Sequence, residues 1–526
     1  MATKRHVRRI GRTGLAGGML ALAALTIAGG GPPGGGAGGD TQDILGRILD
    51  KPIYAHAQWG VLEEDPQGGV LHELQSDKFF IPGSVAKLFT VSGTWHALGG
   101  DHRFTTPVHA VGTRDGAGLH GDLVLVAQGD LALGGRVTPE GTLDFTSIDH
   151  TYANDLPGAT LTPEDPLAGI DDIAQQIRQS GISRVDGDVV VDTRLFETPD
   201  LDPTPTPLII NDNLIDLLTT PTAPGHPAEL SWRPQVAPYE VVSQVTTVAA
   251  GGTTDIEVTA SEDGTRITLS GTIAADAAPV LRVSPVVDPA AFGRTALIEA
   301  LARAGVKVTA DPVGANDEDG LPAAYAPGSD VASYVSPPFS QYARLVLKVS
   351  HNLGANLDVC LMAVSAGSTD CNAGFPVLRA FLEAAGVDPE QVQLADGRGG
   401  DPVDRTTPVA VNQLLRYWLH TPDAEEFRDT LPILGEDGTL DGFCTGCAGV
   451  GKVFAKTGTV AGFDALNERF AVGAETVAGY LVTPSGEIRT FFVGVNNTAV
   501  ADLDAFVSQV IEDVAEASSI LQQQGG

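Results

Sequence analysis

Pro82-Gly83-Ser84-Val85-Ala86-Lys87 opens an apolar stretch that runs to Leu98. The pattern predicts a helix over Val85 to Leu98, and the spacing of three puts the Ser84 hydroxyl and the Lys87 amine on one face. A serine at a helix start also presents its own amide where negative charge is favoured. Alone, Ser-x-x-Lys is a weak signal that a helix cap and a solvated lysine would also produce. Two further triplets change its weight. Ser350-His351-Asn352 stands between two apolar helical stretches, and Lys456-Thr457-Gly458 lies on a strand-like run from Val453 to Val460. Separately they read as a loop and an edge strand; their order and wide separation make them a set.

Outward from this set the chain reads as α/β material. Residues 41–99 predict a short helix, strands near Ala55 to Glu63 and Val70 to Gln75, and then the Ser84 helix. Between His102 and Val331 the character changes to strand-like segments with Pro-rich connections, among them Gly121 to Ala127, Val185 to Asp192, Glu240 to Val248 and Arg266 to Leu269. That is an inserted β-rich region. After Tyr334 helical spacing returns, with Leu353, Leu357, Leu361 and Val364 on one face. The chain ends with strands Thr476 to Val482 and Ile488 to Val495 about the turn Pro484-Ser485-Gly486. A final stripe of Phe506, Val507, Val510, Ile511 and Val514 is expected to pack on their sheet.

At 526 residues, two or more domains are expected. Lys4, Arg5, Arg8, Arg9 and Arg12 precede an apolar run from Leu15 to Ala28, the layout of a secretory signal over residues 1–30. Residues 31–40 form a Gly/Pro linker that cannot build a core. No later segment has the length of a membrane span, so an exported chain without a transmembrane segment is expected. The formal net charge is −34, a surface that repels phosphate backbones and excludes nucleic acid as a partner. Export meets an oxidising compartment, and Cys360, Cys371, Cys444 and Cys447 then fit two disulfides. Cys360 with Cys371 and Cys444 with Cys447 is the local pairing of three connectivities. A zinc site would need a second close cysteine pair or nearby histidines.

The three motifs resemble the active-site set of penicillin-binding proteins and serine β-lactamases. The long interval before Ser350 narrows the resemblance to class C low-molecular-mass penicillin-binding proteins, the D-alanyl-D-alanine carboxypeptidase/endopeptidases. Gly121-Asp122-Leu123 to Gly129-Asp130, Gly181-Ile182 to Gly187-Asp188 with Asp192, and Ile210-Asn211-Asp212-Asn213 look like that family's inserted region. Asp396-Gly397, Leu431-Pro432 and Asp437-Gly438-Thr439-Leu440 look like its returning domain, so the resemblance covers nearly all of the chain after residue 45.

The resemblance implies an α/β (α+β) penicillin-binding/β-lactamase-like transpeptidase domain, a sheet flanked by helices, with inserted β-rich domains. A discontinuous serine peptidase domain would span residues 41–101 and 332–526, with two nested domains in 102–331. It implies Ser84 as nucleophile and Lys87 as the base that takes its proton. Ser350 would relay that proton to the leaving D-alanine amine, and Asn352 would hold the substrate amide. Lys456 and Thr457 would bind the terminal carboxylate, Gly458 would admit the peptide close to the strand, and the amides of Ser84 and Thr459 would form the oxyanion hole. Peptidoglycan peptides and β-lactams are the implied partners, and no metal or cofactor is implied. Three positions depart from the family: Arg398 stands where a small polar residue is common, Asn356 where an acidic one is usual, and the Cys444-x-x-Cys447 pair is not general. A compact β-lactamase lacks so long an insertion. A catalytically silent wall-binding scaffold is the reading from another class, separable by labelling with penicillin. A Ser-His-Asp esterase would need a Gly-x-Ser-x-Gly elbow.

Overall fold

Val477, Leu481, Phe491, Val493 and Val495 face one way from their sheet, while Ala478, Tyr480 and Phe492 face the other. Both faces are covered, which is why these strands read as near-continuous apolar runs rather than as alternating ones. The computed structural model describes residues 41–524. The expected signal segment 1–30 and linker 31–40 lie outside the described residues.

The sheet is antiparallel and five-stranded, in the order Val453–Asp464, Arg469–Val482, Ile488–Val500, Gln58–Glu64, Val70–Leu74. Its last hairpin is longer than the predicted one because pairing continues from Val482↔Ile488 to Phe470↔Val500. One face carries the helices Lys87–Leu98, Phe339–Lys348, Asn352–Ser365, Gly374–Ala384 and Pro408–Leu419 around Phe89, Trp95, Leu414 and Phe492. Trp418 stacks on Phe427 at 4.2 Å and meets Trp95 edge-on at 5.4 Å. Each such side chain, fully buried, contributes about 1.5–3 kcal/mol of apolar transfer. The other face is covered by Thr41–Leu49 and the C-terminal helical segment from Leu503 to Gln522. Strand Val453–Asp464 is left at the sheet edge.

Two expectations change in detail. The expected helix over Val85 to Leu98 begins as a 3₁₀ turn, Gly83–Ala86, and becomes α-helical at Lys87. In the C-terminal stripe Val507 is 37% exposed, because Phe506–Ile511 forms a π-helical segment that shifts the rotational phase of the side chains.

Residues between 103 and 338 build further sheets. Arg103–Asp115, Gly118–Val126 and Asp330–Pro338 belong to a six-stranded sheet in which the first pairs antiparallel with the last. Helices Ala168–Gln179 and Pro289–Arg303 pack on it around Leu123, Ile173, Val189 and Leu297. A three-stranded and a four-stranded sheet follow between Leu214 and Pro285. No helix among the described residues is long and apolar enough to cross a membrane. Both cysteine pairs are bonded as the local pairing predicts, Cys360 with Cys371 and Cys444 with Cys447.

Candidate active site

Ser84 lies in the 3₁₀ turn and Lys87 at the first α-helical position. Three residues make one turn of 3₁₀ helix, so positions i and i+3 eclipse. Lys87 Nζ accordingly lies 2.6 Å from Ser84 Oγ. The same nitrogen reaches Asn352 Oδ1 at 2.8 Å, Ser350 Oγ at 3.3 Å and the carbonyl oxygen of Arg398 at 3.3 Å. Lys87 is wholly buried. Burial first, and the charge of Lys456 second, pull its ammonium well below the ordinary lysine range.

Strand Val453–Asp464 seats its Lys456-Thr457-Gly458-Thr459 segment directly on this turn. A Cβ on Gly83, where φ is +50°, would lie 2.8 Å from Gly458 C and Thr459 N. Thr476 from the neighbouring strand places its hydroxyl 2.8 Å from Pro82 O and 3.0 Å from Gly458 O. Lys456 is wholly buried and pulled down to about 7 by burial, with Glu475 opposing. Its Nζ donates to Thr457 O at 2.7 Å. Thr457 and Thr439 hydroxyls meet at 2.7 Å, and Thr459 donates to Glu475 at 2.7 Å. Burial raises the Glu475 carboxyl to about 8. The predicted Ser84, Lys87, Ser350 and Asn352 thus meet around one amine, with Lys456, Thr457, Gly458 and Thr459 along the adjoining strand edge.

The loop between the short strands Val392–Gln393 and Arg405–Thr406 closes the site. Asp396 Oδ1 accepts from the amides of Arg398, Gly399 and Gly400 at 3.0, 2.6 and 3.2 Å, which aims the Arg398 carbonyl at Lys87. Buried Asn356 accepts from Gly397 N at 3.0 Å and donates to Pro203 O at 2.9 Å. An amide serves both partners, whereas an ionised carboxylate would lack the donor. The Arg398 guanidinium contacts Asp396 at 3.2 Å and Asp202 at 3.3 Å. A cavity of about 980 Å³ adjoins it, bounded in part by Tyr152, Asp202, Val286, Asn352 and Arg398.

Sequence reading missed Thr476, Glu475 and the Arg398 carbonyl. Buried polar residues within the apolar strand Arg469–Val482 are the signal that marks the first two, whereas a backbone carbonyl leaves none.

Residues 41–516 match the D-Ala-D-Ala carboxypeptidase 3 (S13) family. The chain belongs to that family. An S13 peptidase of this kind is a serine-type D-Ala-D-Ala carboxypeptidase. A D-alanyl-D-alanine carboxypeptidase of Actinomadura sp. (strain R39) is 28% identical over 530 residues, 94% of this chain and 90% of that one. The D-alanyl-D-alanine carboxypeptidase DacB of Haemophilus influenzae is 21% identical over 460 residues, 84% of this chain and 85% of its own. The crystal structure of penicillin binding protein 4 (dacB) from Haemophilus influenzae has a TM-score of 0.68 at 20% identity, covering 92% of this chain and 99% of that one. The same protein complexed with a novel β-lactam scores 0.66. The S13 fold is therefore the mixed α/β fold with added β-rich parts that the motifs imply.

Proposed function

We propose that this S13 peptidase is exported and hydrolyses D-alanyl-D-alanine ends and crosslinks of peptidoglycan stem peptides through an acyl-enzyme on Ser84. The contact of 2.6 Å between Ser84 Oγ and the wholly buried Lys87 Nζ carries this reading. A neutral amine there accepts the hydroxyl proton through its lone pair while its own hydrogens point to Asn352 Oδ1 and the Arg398 carbonyl. Ser84 Oγ then bonds to the penultimate D-alanine carbonyl carbon, whose oxygen lies toward the amides of Ser84 and Thr459. Ser350 passes the proton from Lys87 to the leaving nitrogen as the C–N bond breaks, and D-alanine departs as an amine. Water gives a proton to Lys87 as it attacks the ester carbonyl, and Lys87 passes that proton to Ser84 Oγ as the acyl bond breaks, restoring the serine and releasing the acid. Lys456 and Thr457 bind the terminal carboxylate, and the exposed edge of Val453–Asp464 pairs with the substrate backbone. β-Lactams acylate Ser84 by the same path.

The entering strand Arg103–Asp115 and the returning strand Asp330–Pro338 lie side by side. That supports reading residues 102–331 as an insertion, with two nested domains, into a peptidase domain of 41–101 and 332–526. Incubation of the mature protein with fluorescent penicillin and with defined muropeptides, followed by mass spectrometry, tests the assignment. Wild type should gain one penicilloyl adduct on the Ser84 peptide and release D-alanine. Equal labelling of Ser84→Ala would refute it.

A further inference from the structure

Ser350-His351-Asn352 is held by residues far outside its own helices. Ser350 has φ of +61°, a left-handed conformation that a serine keeps only when its surroundings hold it. Its carbonyl accepts a hydrogen bond from the Tyr152 hydroxyl. Tyr152 closes the short turn His150–Tyr152, which Asp149 caps by accepting from Thr151 N at 3.0 Å.

His351 is wholly buried, and its Nδ1 accepts the amide hydrogen of Gly354 at 3.0 Å, capping helix Asn352–Ser365. The ring hydrogen therefore sits on Nε2. Nε2 lies 3.0 Å from Asp212 Oδ1 but off the line of a hydrogen bond, and neither atom has another hydrogen-bond partner among the described residues.

Asp212 is itself fixed. Its other oxygen lies 2.7 Å from both Arg136 and His150 Nε2, and Asp149 holds Arg136 through two bonds of 2.7 and 3.1 Å. His150 Nδ1 lies 2.6 Å from Asp216, which also meets Arg233 at 3.2 Å. Burial opposes the His150 charge, but the carboxylates of Asp216 and Asp149 outweigh it and raise the ring to about 10. Three carboxylates thus face three cations. Asp149, Asp212 and His351 bring ligand-type atoms within 4.8 Å of one another, yet Arg136 already occupies both carboxylates, so the cluster is an ion-pair network rather than a metal centre.

We propose that Tyr152 and Asp212 are positioning residues for Ser350 and Asn352, through which the region 102–331 sets proton delivery to the leaving group. This rests on the reading of Ser84 as nucleophile and Ser350 as relay. Ser84 and Lys87 sit in one continuous turn, so their own contact of 2.6 Å does not pass through Tyr152 or Asp212, and Lys87 keeps the Arg398 carbonyl as a partner at 3.3 Å. Misplacing Ser350 should therefore harm substrates whose leaving nitrogen needs a proton and spare a thioester, whose thiolate leaves without one.

Tyr152→Phe removes one hydroxyl. His351→Asn keeps a good helix cap but withdraws the ring from Asp212. Asp212→Asn would unbalance the network, so the first two variants carry the test. For each, penicillin acylation should fall about 10- to 100-fold, thioester acylation should fall less than about threefold, and the thermal midpoint should stay within a few degrees of wild type. The double variant should lose less than the product of the two single losses. Equal loss on both substrates, or no loss in either variant of an active enzyme, would overturn the inference alone. A wild type silent toward both substrates would overturn the Ser84 reading and this inference with it.

Discussion

Gly458 faces the Pro82 carbonyl so closely that a Cβ on it would lie 2.1 Å from the oxygen, with Thr476 Oγ1 at 2.5 Å and Val85 N at 2.9 Å. Strand and turn are in backbone contact there, and the clashing atoms include main chain that cannot swing aside. Gly458→Ala should push the Lys456 strand off the Ser84 turn. We expect Ser84 acylation to fall at least about 100-fold and the thermal midpoint to drop. Burst kinetics with a chromogenic β-lactam, paired with calorimetry, measures both. Acylation at the wild-type rate would show that the contact does not organise the site.

Lys87 owes its lowered pKa to burial first and to Lys456 second. If Lys87 is the base, acylation rises with pH as its ammonium loses a proton. Lys456→Met removes a neighbouring cation, so the Lys87 pKa should rise and the ascending limb should move to higher pH. A neutral ester substrate keeps loss of carboxylate binding out of the comparison. A limb that stays in place or moves down would assign it to another group.

Thr457 shares its hydroxyl with Thr439 at 2.7 Å, which aims it at the strand edge where a terminal carboxylate would lie. Thr457→Val should weaken the specificity constant for a carboxylate-bearing thioester by about ten- to a hundred-fold. The methyl ester of that compound should change little. Their ratio, large in wild type, should collapse in the variant, whereas Lys87→Ala should depress both compounds together.

His150 is raised from 6.5 to about 10 by partners that exist only in the folded protein. A raised folded-state pKa gives stability that is complete below the unfolded value, near 6.5, and is lost as pH rises through about 10. The thermal midpoint should therefore decline from about pH 7 to pH 10, and His150→Gln should flatten the decline while lowering stability near neutrality. Calorimetry of both proteins across that range checks the sign. An equally steep decline in the variant would place the titration elsewhere.

Much of this protein was determined by short-range relations that its sequence alone displays. Ser84 and Lys87 meet because three residues span one turn, whichever kind of helix forms. Cys444 and Cys447 pair because little chain separates them, and the run from Thr476 to Val495 makes a hairpin because its apolar residues flank one turn. Over a longer range, the order and spacing of the three motifs carried the resemblance to class C low-molecular-mass penicillin-binding proteins. Only the tertiary structure decided what surrounds Lys87. Its low pKa comes from burial and from Lys456, and its contacts with Asn352 and the Arg398 carbonyl span separations of 265 and 311 residues. The same holds for Tyr152 on the Ser350 carbonyl and for Asn356 between Gly397 and Pro203. Desolvation and ion pairing depend on distances between parts of the chain that no local propensity encodes. Even Val507 turned outward through a π-helical segment that the apolar spacing did not reveal. Local geometry could name the proposed reacting pair, but the burial that lowers the Lys87 pKa arises when distant segments exclude water together.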